Sequence, residues 1–331
     1  MRTLSIVLLA LAASASSLPA QDVHVRVSHD VKTGIDGGNE FPTLQMAMDH
    51  HSFAGKNGRV YIEIAPGTYH ERVIVTQNHA DITFIGKGAR PEDVVITNAL
   101  NAKQAGGTFF TETVRIDAPG FEADNLTFEN AAGATGQAVA VAVRSDRAIF
   151  KHCRLLGHQD TLFADYGRQY YLDTYIEGTV DFIFGNAQAV FDQSELHELT
   201  PGFLTAQSRT SSDQTTGYVI LNSRVTADET ALAGKHFFLG RPWRPYSRVV
   251  YLNTELPATL APQGWNNWNK PANEQTAFYA ERGNTGPGAD TAQRVSWSHP
   301  LSAAQAKPYL PVNFLRGKDH WNPEAEAKKL P

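Results

Sequence analysis

Short apolar runs recur along this chain, each carrying a small or polar residue followed two positions later by an aliphatic one. The pairs are Asp124/Leu126, Cys153/Leu155, Thr174/Ile176, Ser194/Leu196, Ser223/Val225 and Thr254/Leu256, with first members 29, 21, 20, 29 and 31 residues apart. Polar residues precede most of them, including His152, Asp173, Gln193, Asn222 and Asn253. Units rich in β-branched and aromatic residues and punctuated by Gly, Asn and Asp predict strands, not helices. The period is too short for a propeller blade of about 40–45 residues, and the leucine signature of a leucine-rich repeat is missing. The pattern predicts an all-β, single-domain parallel β-helix with two or three strands per coil. A β-sandwich with coincidental spacing stays open on this pattern alone.

Outside the repeat, Leu44, Ala47 and Met48 share one face of a short helix over Leu44–His50 that Thr43 can cap. At the N-terminus it would plug the end of the solenoid, whose terminal units need capping. From about Trp265 onward the chain is rich in Pro, Gly, Asn and Trp and the repeat is lost. That part is expected to pack along the outside of the coils and not to form a second domain.

The first residues change the picture of where the chain works. Met1-Arg2, an apolar stretch over 4–13 and an exit through Leu18-Pro19-Ala20 form the pattern of a secretory signal peptide. Residues 1–20 are expected to be removed, leaving 21–331 as one catalytic unit of an exported protein. No later segment approaches ~18 uninterrupted apolar residues, so no membrane span is expected. With 29 basic and 34 acidic residues the formal charge is −5, without blocks of either sign. Such a balance gives no footprint for nucleic acid or an anionic membrane. Cys153 is the single cysteine; flanked by Phe150 and Leu155, it is expected to be buried and inert, and no intrachain disulfide can form.

Candidate chemistry sits where polar groups interrupt strands. In Thr179-Val180-Asp181-Phe182-Ile183-Phe184-Gly185 an acid stands among strand-forming side chains, where it must meet water, find partners or change its pKa. Gln137-Ala138-Val139-Ala140-Val141, Gly157-His158-Gln159-Asp160-Thr161-Leu162 and Leu239-Gly240-Arg241-Pro242-Trp243 pose the same question. Together these four stretches resemble the signature motifs of the pectin methylesterases, which read QAVAL, G-Y-Q-D-T-L, DFIFG and LGRPW. Gly67-Thr68-Tyr69-His70-Glu71 is similar to the family's G-x-Y-x-E element, and the likeness extends over 41–297. His158 and Phe163 stand where many members have Tyr, and Val141 where Leu is usual. None of these departures removes a polar catalytic group.

The resemblance implies a right-handed parallel β-helix that hydrolyses methyl esters on polygalacturonate. It makes Asp181 the nucleophile, Asp160 the acid and later the base, Gln137 and Gln159 the oxyanion donors, and Arg241 the partner that orients Asp181. Trp243 would stack on a sugar, with Phe163, Phe184 and Trp265 lining the groove. No metal or other cofactor is expected, and the partner would be methyl-esterified pectin, bound by a secreted monomer.

The residues support this separately. Asp160 and Asp181 lie 21 positions apart, about one coil, so they can stand on adjacent rungs around 5 Å apart. Close carboxylates do not both ionise easily, and neutral amides can stabilise an oxyanion. His50, His51, His152 and His158 lack metal-ligand spacing and have no evident carboxylate partner in sequence. The sequon at Asn125-Leu126-Thr127 falls in a strand where a glycan would fit poorly. A pectate lyase or polygalacturonase on the same solenoid is the alternative, followed by a carbohydrate-binding or thioesterase relative. A lyase would want a calcium site of several carboxylates, and neither it nor a glycosidase needs amides for an acyl oxyanion.

Overall fold

Each repeat becomes one turn of a right-handed parallel β-helix. The computed structural model describes residues 22–31, 38–50 and 58–331; the expected signal peptide lies outside them. Every strand pair is parallel and the strands wind around three faces. One face is a twelve-stranded sheet that includes Ala148–Lys151, Arg168–Leu172, Gln188–Asp192 and Gly217–Leu221. The second holds Thr127–Asn130 and Arg154–Leu156, and the third Val141–Arg144 and Leu162–Tyr166. Two long strands, Tyr175–Gly185 and Glu195–Gln207, bend across both. Inside the coil like residues stack in register: Phe150, Tyr171 and Phe191 pair along the first face, with ring centroids 5.0 and 4.7 Å apart.

The polar residues noticed between runs have a backbone task. Asn125, His152, Asp173, Gln193, Asn222 and Asn253 adopt φ values of 48–59°, the left-handed conformation that turns the chain from the first face to the second. The next residue points inward and satisfies the bend. Ser194 Oγ accepts from Thr174 N–H (3.1 Å) and Ser223 Oγ from Ser194 N–H (3.0 Å). Cys153 occupies this inner ladder, buried and free, and burial pushes its thiol far up.

The expected pairing fails at its first rung. Phe128, not Leu126, is in register with Leu155, so the repeat there begins at Leu126. A slip of two residues keeps the same face inward, and Asp124 therefore passed for a rung start.

The helix Leu44–His50 forms with Leu44, Ala47 and Met48 buried. Thr43 Oγ1 accepts from Met46 N–H at 3.2 Å, and the Glu71 carboxylate accepts from Leu44 and Gln45 N–H at 3.0 and 2.9 Å. The C-terminal expectation needs correction. Phe278–Arg282 and Ser298–Pro300 extend the first sheet, so coiling continues past Trp265. The short helices after Leu301 do pack outside, where Ala306, Phe314, Leu315 and Ala327 cover Tyr170, Val190 and Val219.

Candidate active site

The third face carries the acids. Asp160 (φ 68°) and Asp181 (φ 55°) both take left-handed backbone, which Asp accepts more readily than the β-branched residues around it. Asp160 N–H donates to the Val180 carbonyl at 3.2 Å. Two residues on, Leu162 and Phe163 pair with Ile183 and Phe184, so the aspartates share one register on neighbouring rungs, a strand spacing of ~4.8 Å apart. Gly185 ends this segment at φ 120°, where a Cβ would stand 2.2 Å from the Ala164 carbonyl oxygen. Only glycine lets the rungs close there.

Arg241 arrives from the strand Phe238–Gly240. Its N–H donates to the Thr205 carbonyl at 2.9 Å, and Gly240 makes the approach possible, since a Cβ would lie 2.0 Å from Thr205 Oγ1. The guanidinium grips Asp181 with both arms, Nε to Oδ1 at 2.8 Å and Nη2 to Oδ2 at 2.7 Å. Burial raises the Asp181 pKa and this fork opposes the rise. Asp160 has no such partner among the described residues. Burial first, and the neighbouring Asp181 second, push it up to about 8, with Arg241 only partly opposing. One proton shared by this pair therefore resides on Asp160 at neutral pH.

The Ala138 N–H donates to the Gln159 carbonyl at 3.0 Å, which puts Gln137 and Gln159 on adjoining rungs beside the acids. Both are half-buried, and neither side-chain amide has a hydrogen-bond partner among the described residues. Phe163 and Phe184 stack at 4.7 Å on the outer surface of the third face, apart from the core, with Val139, Ala142 and Ala206. Trp243 and Trp268 partly cover this cluster, and Trp243 lies 6.0 Å from Phe184. Trp265 does not reach the groove: it is 1% exposed, packed on Tyr279 at 4.4 Å, and its Nε1 donates to Glu281 at 3.3 Å. The residue facing outward is Trp268, three positions later.

Other groups escaped the sequence reading. Phe109 extends the cluster at 4.9 Å from Phe163, and Phe203 packs against Arg241. Glu198 is fully buried, and among the described residues neither carboxylate oxygen has a hydrogen-bond partner; burial, then Asp181, pushes it well up. A carboxylate partner for His152 does exist, since Asp124 lies at 3.1 Å. A concavity of about 980 Å³ lies elsewhere, along the corner lined by His152, Asp173 and Asn222. Its Arg154 and Arg224 face Glu92 and Glu195, which leaves little for chemistry.

Comparison with known proteins agrees with this fold. The family model described as Pectinesterase matches residues 30–318. The chain is 38% identical over 296 residues to Pectinesterase 31 of Arabidopsis thaliana, covering 86% of this chain and 92% of that one. It is 37% identical to Pectinesterase 1 of Citrus sinensis, spanning 88% of this chain but 51% of the relative. Among solved structures it is similar to a pectin methylesterase from carrot (TM-score 0.83, 34% identity, 93% and 96% of the two chains). It also resembles that from Aspergillus niger (TM-score 0.78, 30% identity, 92% and 96%). The fold is the right-handed parallel β-helix of the pectin methylesterases it resembles, and the relatives are pectinesterases, a family of carboxylic ester hydrolases. The chain belongs to the pectinesterase family.

Proposed function

We propose that this protein removes methyl esters from the galacturonosyl residues of pectin, releasing methanol. The observation that carries the reading is the asymmetry of the acid pair: Asp181 clamped by Arg241 at 2.8 and 2.7 Å, Asp160 unclamped and protonated to about pH 8. A related pectin methylesterase has been solved in complex with a hexasaccharide, which supports a polymeric sugar substrate.

An oxygen of ionised Asp181 attacks the ester carbonyl carbon, and the carbonyl oxygen becomes an oxyanion that the amides of Gln137 and Gln159 stabilise without adding charge. As the carbon–methoxy bond breaks, the Asp160 proton passes to the departing oxygen and methanol leaves. A galacturonosyl–Asp181 anhydride remains. Asp160, now a carboxylate, takes a proton from water while that water's oxygen attacks the galacturonosyl carbonyl. The anhydride bond breaks, Asp181 leaves as a carboxylate, and Asp160 has regained its proton. Arg241 keeps Asp181 ionised and oriented. Trp243 and the Phe163/Phe184 cluster bound the sugar groove.

We further read residues 1–20 as a signal peptide, 21–331 as the catalytic unit, and the product as a secreted monomer. Among the described residues no helix is long and apolar enough to cross a membrane. Incubation with highly esterified pectin tests the reaction. Methanol should appear without unsaturated product and without chain shortening, in the presence of a chelator. Loss of activity to the chelator with recovery on calcium would instead favour a lyase.

A further inference from the structure

Arg241 is held by more than its carboxylate. Its guanidinium carbon lies 3.9 Å from the centroid of the Phe203 ring and 3.8 Å from that of Trp268. Two rings this close to one planar group can only occupy its opposite faces. A guanidinium capped on both faces keeps only its in-plane N–H edges, and the edge holding Nε and Nη2 is turned to Asp181.

Trp268 reaches that position through an unfavourable backbone. Its φ is 62°, followed by 54° at Asn269, and a bulky side chain rarely accepts the left-handed region. Local hydrogen bonds hold the loop there. Asn266 Oδ1 accepts from Trp268 N–H at 2.8 Å. The buried Asn273 amide donates both to Pro242, next to Arg241, and to Asn267 in the loop, at 3.3 and 3.4 Å. The loop is thus tied to the segment that carries the arginine, and strain is kept where the ring meets the guanidinium.

We propose that Trp268 is a positioning residue that presses the Arg241 guanidinium against Phe203 and so fixes the plane in which it meets Asp181. This rests on the reading of Asp181 as the nucleophile. Without the ring, Arg241 gains water on one face and freedom to rotate out of the carboxylate plane. Asp181 then becomes both a worse-aimed nucleophile and a harder group to ionise. The charged and titratable groups around it are Asp160 on the adjoining rung, Arg241, the buried Glu198 and Tyr279. Of these only Arg241 favours the ionised form, so loosening it moves the Asp181 ionisation upward.

The test compares Trp268→Gly and Trp268→Phe with wild type by methanol release from esterified pectin across pH. Glycine suits the φ of 62°, so the first variant removes the ring while relieving the backbone; thermal melting checks that it folds. We expect kcat to fall about tenfold or more, and the acidic limb of kcat/KM to move to higher pH. Phenylalanine, which can still cover the guanidinium, should restore most of both. Should the glycine variant fail to fold, Asn266→Ala, which releases the loop, is expected to show the same two signatures in weaker form. A rise in KM with kcat and the acidic limb unmoved would make Trp268 a groove wall and overturn the proposal. Absence of methanol from wild type would remove the ester reading and this proposal together.

Discussion

With Asp160 proposed as the acylation acid, raising the pH through 8 should switch off the chemistry while leaving the fold intact. The residue is 8% exposed and borders Asp181, and these two causes, in that order, place its ionisation at about 8. At pH 7 roughly nine molecules in ten carry the proton, and at pH 9 about one in ten, so kcat/KM should fall about tenfold per pH unit above 8. The same proton affects stability in the opposite sense. The folded chain holds it up to about pH 8, whereas an unfolded aspartate releases it near 3.8. Between these values the folded state binds more protons, so this group's contribution to stability declines as pH rises from about 4 to 8. Asp160→Asn cannot ionise and should therefore be more stable than wild type at pH 8, by roughly 2 kcal/mol or more, while nearly inactive. The assay is methanol release from esterified pectin between pH 5 and 10, corrected for spontaneous saponification, beside thermal unfolding of both proteins at pH 5 and 8. A rate flat to pH 9.5, or an Asn variant less stable at pH 8 than at pH 5 relative to wild type, would refute the assignment.

Three substitutions probe neighbouring claims. Gln137→Ala should lower kcat by ~10²–10³ with KM little changed, since the oxyanion exists only near the transition state; an effect confined to KM, measured by initial rates, would remove Gln137 from that role. Cys153→Ser should cost some stability in melting experiments but leave turnover intact, and thiol alkylation of native enzyme should be slow, since the thiol is buried and its pKa raised. Trp265→Ala should destabilise by about 3–5 kcal/mol, read by denaturant unfolding, with KM unaffected in whatever folds, because the ring belongs to the core.

The solenoid and the acid pair were legible where rungs are short. Between Asp160 and Asp181 no loop intervenes, so 21 residues equal one coil and the spacing alone aligns them. At Asp124 the period-two alternation of a strand hides a slip of two, and only the pairing of Phe128 with Leu155 fixes the phase. Trp265 and Trp268 lie three residues apart in a stretch without alternation. Which one turns inward is decided by the left-handed backbone at Trp268 and Asn269, and no local signal marks it. Glu198 escaped for a related reason. It takes an inward position two residues beyond Leu196 that the pattern reserves for an apolar side chain, and a polar residue in a strand reads as outward-facing until the core is seen.

The central claim is that the Asp181 carboxylate itself attacks the ester, and turnover of Asp181→Asn on highly esterified pectin tests it most directly. The amide keeps the shape and can still lie against Arg241, but it is a poor nucleophile. Methanol release should fall to near background in a variant that melts as a folded protein. Retention of more than about a tenth of wild-type turnover would show that Asp181 is not the attacking group.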